Sequence, residues 1–296
     1  MRSRLVINLL LIAVITVMAI VLSLTDNNKT AETNTLLTSL SPDSVTSISI
    51  LLKGEERSTF KRENDHWMMQ KPYVHAANPV RINSMLNLLS AYSYARFDLE
   101  DLELSRFALD SPRVSLVFNN TRVDFGSENP LDKTRYVMTG QQIHLINDSL
   151  FQQLQAPATF FLDTQLLPPG TIITGLSYPE HQVTQVDQRW MVIPEMEAEI
   201  QPIEDLISAW QTVNAITLQP YIPRDEAEET ITVAREQFGN IIFDIISPFP
   251  KLILGRADIG IQYHVSQENA GQLFLQPVDN NESSADEPPA MEQPGQ

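Results

Sequence analysis

The chain opens on an unbroken apolar run. Leu5 to Leu24 is 20 residues without a charge, and only Asn8, Thr16 and Ser23 in it are not apolar. A helix rises about 1.5 Å per residue, so a run of that length spans the roughly 30 Å hydrocarbon core of a bilayer. It contains 14 Leu, Ile and Val residues, each favouring insertion by about 0.3–0.6 kcal/mol. A cleaved signal peptide has a shorter apolar stretch closed by small residues, whereas Ala19 is followed by Ile20, Val21 and Leu22. The run therefore reads as an uncleaved transmembrane anchor over 5–24. Arg2 and Arg4 precede it and only Lys29 is basic soon after it. The positive-inside rule then puts residues 1–4 in the cytoplasm and the bulk of the chain outside.

After the run the pattern changes. Residues 25–44 are polar and read as a stalk, with Leu36, Leu37 and Leu40 forming a short amphipathic turn. From Val45 the pattern becomes strand-like and recurs, which predicts a first unit over 45–165 and a second over 171–276, joined near Pro168 and Pro169. Val45, Ile48, Ile50 and Phe60 lead to Trp67 and Pro72; Ile172, Leu176 and Val183 lead to Trp190 and Pro194. A helix is expected next in each. Ile82, Met85, Leu86 and Leu89, and then Ile203, Leu206, Ile207 and Trp210, fall at i, i+3, i+4 and i+7, one apolar stripe suited to lying on a sheet. Asn78 with Pro79, and Pro202, mark the helix starts.

Strands return after each helix. Val114–Phe118 and Arg122–Phe125, ending at Gly126, are matched to Ile241–Ile246 and Leu252–Leu254, ending at Gly255. Tyr136–Met138 and Ile143–Ile146 are matched to Ile261–Val265 and Leu273–Leu275. Strands, one helix and a strand meander, used twice behind an anchor, predict an α+β architecture with antiparallel sheet.

Charge narrows the partners. Twenty Lys and Arg stand against 37 Asp and Glu, a formal net charge of −17. Such a surface repels phosphate backbones and anionic headgroups, so nucleic acid is excluded as a partner. There is no cysteine, hence no disulfide, thiol catalysis or thiolate metal site. Residues 277–296 hold five acids, four prolines and no base, and are expected to be a disordered acidic tail.

The first unit resembles the bacterial family named domain of unknown function 4340. Trp67, Pro72, the helix from Pro79 to Tyr94 and the segment Asp101-Leu102 to Arg106-Phe107-Ala108-Leu109-Asp110-Ser111-Pro112 carry the likeness, continued by Val123-Asp124-Phe125-Gly126 and Tyr136-Val137. The family has glycine where Ala108 stands. The second unit is similar more loosely. The resemblance implies one N-terminal span, an extracytoplasmic domain, and association with export-type ABC permeases or gliding-motility-like auxiliary subunits. It carries no catalytic residues.

The residues themselves offer little chemistry. His66, His75, His144, His181 and His264 are dispersed, without the spacing of a metal pair, and read as surface or strand-end residues. Asp98, Glu100, Asp101 and Glu103, and Asp225, Glu226, Glu228 and Glu229, read as solvated faces rather than acid–base pairs. Trp67, Trp190 and Trp210 read as packing residues. No catalytic, cofactor or metal residue is assigned. The expected role is a non-enzymatic accessory or scaffold protein at the bacterial inner membrane, an auxiliary subunit of an ABC-type export complex. The alternatives are an envelope ligand-binding module with a cleft between the two units, and a cryptic hydrolase.

Overall fold

Alternation of buried and exposed positions dominates the chain and produces sheet. The computed structural model describes residues 35–195, 202–223 and 229–275, together with Thr16 and Met18. By contact the described chain forms two units. One comprises 35–72 and Pro79–Ala156, the other Tyr73–Asn78 and 157–275.

The first unit begins with β1 (Thr35–Leu36), followed by β2 (Ser47–Leu52), β3 (Glu55–Glu63) and β4 (His66–Lys71). Tyr73–Asn78, with the short β5 (His75–Ala76), belongs to the other unit. Helix α1 (Pro79–Asn87) follows, then β6 (Tyr92–Ser93), β7 (Ala95–Asp98), β8 (Val114–Phe118), β9 (Thr121–Glu128), β10 (Arg135–Thr139) and β11 (Gln142–Ile146). The strand order of the sheet runs β4-β3-β2-β8-β9-β10-β11-β7, antiparallel throughout. Ile48, Ile50, Phe60, Val114, Leu116, Phe118, Val123 and Phe125 are buried, as are Ile82 and Met85 of α1. Residues 35–37 are extended rather than an amphipathic turn: β1 pairs with β6, Leu37 is buried and its N–H donates to the Ala91 carbonyl.

The second unit holds β12 (Ile173–Ser177), β13 (Gln182–Val186), β14 (Arg189–Ile193), α2 (Ile203–Thr212), β15 (Thr217–Pro220), β16 (Thr230–Arg235), β17 (Ile241–Ser247), β18 (Ile253–Arg256), β19 (Ile261–His264) and α3 (Gln267–Gln272). Its order is β14-β13-β12-β16-β17-β18-β19-β15. This is the permutation of the first unit, strand for strand. Trp210 of α2 packs 5.5 Å from the Phe243 ring, and Phe243 packs on Tyr263, so helix and sheet share one aromatic core.

Two corrections follow. The class is mainly antiparallel β, not α+β. Among the described residues there are nineteen strands, while α1, α2 and α3 have 9, 10 and 6 residues. The helical stripes are real but cover fewer than three turns each, and the sheets supply most of the core. The expected anchor is not part of the described fold either. Among the described residues no helix is long and apolar enough to cross a membrane. The run 5–24 itself lies outside the described residues apart from Thr16 and Met18, which are helical and exposed. Residues 1–4, residues 25–34 of the stalk and the tail lie outside them as well.

The repeat is also out of step with the sequence matching by one strand. By topology β8 and β9 correspond to β16 and β17, so Val114–Phe118 pairs with Thr230–Arg235 and not with Ile241–Ile246. Leu273–Leu275 is no strand; it follows α3.

In each unit the strand order takes the chain from the edge strand, β7 or β15, to a strand in the middle of the sheet, β8 or β16. A glycine lies beneath each crossing. A Cβ on Gly126 would stand 2.3 Å from the Phe107 carbonyl oxygen and 2.9 Å from Leu109 Cγ. On Gly255 it would stand 2.6 Å from the Tyr221 ring.

Candidate functional site

Three loops meet at one end of the second sheet and enclose a cleft of about 440 Å³. The first is the β12–β13 turn, Tyr178-Pro179-Glu180-His181, closed by the Tyr178 N–H donating to the His181 carbonyl at 2.8 Å. The second is the β17–β18 loop with Pro248 and Phe249. The third is the end of α3 and the chain after it, with Gly271 and Phe274. Ile245 and Glu229 complete the lining.

The walls are held from behind. The Tyr178 hydroxyl donates to the Leu273 carbonyl at 2.6 Å and accepts from the Trp210 indole N–H at 2.8 Å. Burial pushes its ionisation well above the usual phenol range. Its ring stacks on His181 with centroids 4.6 Å apart, and Phe274 tilts against it at 5.6 Å. Helix α3 is started by the Ser266 hydroxyl, which accepts from the Asn269 N–H at 3.1 Å. These bonds fix two of the three aromatic walls, while Phe249 is 53% exposed at the mouth.

His181 is the polar residue with unused capacity. Its Nε2 is buried and makes no hydrogen bond among the described residues. Burial lowers its basicity, and the neighbouring Glu180 carboxylate opposes that only in part. The imidazole is neutral at pH 7 as a result. Among the described residues the lining holds two carboxylates, Glu180 and Glu229, and no Lys or Arg. A concavity of about 330 Å³ in the first unit has the opposite character, lined by Lys53, Arg57 and Arg113 with Glu55. Those four side chains are all exposed, without a fixed wall behind them.

The structure separates the other candidates that the sequence offers. His144 is not a strand-end residue: it lies within β11 and is 1% exposed. The Ser93 hydroxyl donates to the Ala95 carbonyl, so at 3.1 Å it accepts from His144 Nδ1, which fixes the tautomer. Burial, with Arg96 adding, lowers the His144 pKa to about 4. His75 Nε2 lies 3.2 Å from the Asp163 carbonyl, His264 is half-buried at the end of β19, and His66 is exposed. Asp98, Glu100, Glu103 and Glu229 are exposed; the Asp101 side chain and Asp225, Glu226 and Glu228 lie outside what is described. Among the described residues no group of three or more His, Asp or Glu gathers as metal ligands would. Trp210 is fully buried, whereas Trp67 and Trp190 are half-buried on β4 and β14.

The family described as Domain of unknown function (DUF4340) matches residues 67–214. The chain belongs to the DUF4340 family. The match begins at Trp67 in β4, takes in the first crossing segment, and ends at Asn214 just after α2. It includes the Tyr178–His181 wall of the cleft but not Ile245, Phe249 or Phe274. No curated protein and no solved structure matches the chain.

Proposed function

We propose that this DUF4340 protein is a non-enzymatic accessory subunit of a membrane complex, working on the outer side of a bacterial inner membrane. An ABC-type exporter is the partner class that the family resemblance favours. The observation that carries the reading is strand β14. It is the outermost strand of the second sheet, so one row of backbone N–H and C=O groups faces away from β13. The β13–β14 register places Val186, Met191 and Ile193 on one face, and they are 47%, 49% and 50% exposed. An edge with an apolar face is a template for an added strand of another chain. The test is a photo-crosslinking residue at Met191 in cells, followed by gentle membrane solubilisation and purification. Adducts to a membrane protein are expected. Recovery of the chain alone, as a monomer, from the membrane or from the soluble fraction would count against the reading.

A second reading is favoured by the cleft of the second unit. Its volume falls in the range of small-ligand sites, and two of its three aromatic walls are fixed by hydrogen bonds from the core. On this reading the protein is an envelope ligand-binding module. The cleft lies within one unit, between three loops of a single sheet.

A further inference from the structure

We propose that the cleft beside His181 binds a small organic cation, an ammonium group carried on an apolar or aromatic body. The proposal rests on the ligand-binding reading and names the chemistry of its ligand. Phe249, half exposed at the mouth, and Phe274 give the cleft aromatic surface for an apolar body and a cation alike. Glu180 and Glu229 supply negative charge to the same lining, with no Lys or Arg among its described residues. An anionic ligand therefore meets two carboxylates in a chain of net charge −17. A neutral ligand leaves both carboxylates without a counter-charge.

The His181 ring lines the same cleft, and its lowered basicity keeps it uncharged, so it adds no positive charge to compete with the ligand.

The test uses the full chain in micelles of a non-ionic sugar-headed detergent and three probes of one shape: phenethylammonium, phenethyl alcohol and 3-phenylpropionate. Binding is read by equilibrium dialysis and saturation-transfer NMR. Saturable one-site binding of phenethylammonium is expected, at least about tenfold tighter than the alcohol, which one desolvated cation–π contact supplies, with no binding of the propionate. The E180Q/E229Q double variant should lose the preference for the cation, and F249A should weaken both the cation and the alcohol. Equal affinity for cation and alcohol, or cation binding unchanged in E180Q/E229Q, overturns the proposal. If in addition F249A weakens both probes, the cleft remains a ligand site of another chemistry. If none of the three probes binds, the proposal and the ligand-binding reading fall together. Displacement of the probe by nanodiscs containing phosphatidylethanolamine would assign the ammonium to a lipid headgroup. Displacement by soluble amines alone would assign it to a free amine, and either result supports a cation site.

Discussion

The two units have the same strand order and differ in how the crossing segment is fixed. In the first, backbone does it. The chain over β9 makes two 3-10 turns, 99–101 and 104–107, and its Phe107 carbonyl and Leu109 side chain press on Gly126. Phe107 also packs edge-on against Tyr136 of β10 at 4.8 Å. On the face that Gly126 occupies, the paired residues Ser115 and Asp124 are buried and bonded to each other, and Arg122 donates to Asp124 at 2.7 Å. In the second unit, among the described residues that follow β15, the Tyr221 side chain rests on the sheet. The Tyr221 ring lies on Gly255 and its hydroxyl donates to Asp244 at 2.7 Å. In the second unit, loops at the end of the sheet enclose the cleft with fixed walls.

The largest expected effect separates the two crossings directly. In Gly126→Ala the new methyl meets a backbone oxygen, so the chain above β9 must shift, and a loss of about 3–4 kcal/mol is expected. In Gly255→Ala it meets a ring that can turn aside, and about 1 kcal/mol is expected. Urea denaturation of the full chain measures both. Equal losses would mean that Tyr221 is held as firmly as the Phe107–Leu109 backbone. In Tyr221→Ala the added cost of Gly255→Ala should vanish.

Acid should act next most strongly, and on the first unit. The folded pKa of His144, about 4, lies below its ordinary value of 6.5. Its neutral form is the one the fold holds, so its contribution is complete above pH 6.5 and is lost as pH falls towards 4. The unfolded chain takes up the proton across that window, a loss of roughly 3 kcal/mol. Amide exchange in β10 and β11 at pH 5 and pH 7 should show it, and His144→Gln should flatten the difference. Exchange in the second sheet should not respond to that substitution. Its own histidines, His75, His181 and His264, have lowered basicity from burial and weaken their unit in the same direction.

A smaller effect belongs to the second unit alone. Trp210→Phe keeps a ring in the core but removes the donor to the Tyr178 hydroxyl. A loss of about 1–2 kcal/mol is expected. The Tyr178 ring should also loosen, seen as faster ring flipping by NMR, with β8–β11 unaffected. Unchanged flipping would show that the Leu273 carbonyl alone positions this wall of the cleft.

How far the sequence foretold these features varies with the physics behind each. Ile82 and Met85, and Leu206 and Trp210, are read correctly as buried helix faces because a 3.6-residue period is local. Strands β8 to β11 are legible for the same reason, with Asn119 and Gly140 taking positive φ in their turns. Strand β16 is missed. Its buried pair, Ile231 and Val233, alternates with threonines directly after an acidic run, and two apolar positions make a weak period. That omission moves every later match by one strand and turns Leu273–Leu275 into a strand that does not exist. The cleft is not legible at all, since residues 178–181, 248–249 and 271–274 meet only through strand order. His181 in particular reads as an ordinary surface histidine until the stacked Tyr178 is placed beside it.

The smallest predicted effect concerns the position where the chain departs from its family's glycine. Ala108 sits at φ 54° and ψ 38°, the left-handed residue that ends the second 3-10 turn of the first crossing. A methyl group in the left-handed region costs about 1–2 kcal/mol relative to glycine. Glycine returns about 0.4–1 kcal/mol of that through its freer unfolded chain. Ala108 is exposed, so removing its methyl gives up no packing. Ala108→Gly should therefore stabilise the protein by roughly 0.5–1 kcal/mol, read as a higher urea midpoint at unchanged slope. Ala108→Val, β-branched at the same φ, should lower it. If both substitutions leave the midpoint where it is, the first crossing is not rigid at its turn. The contrast with the second unit would then rest on Gly126 and the buried side chains beside it.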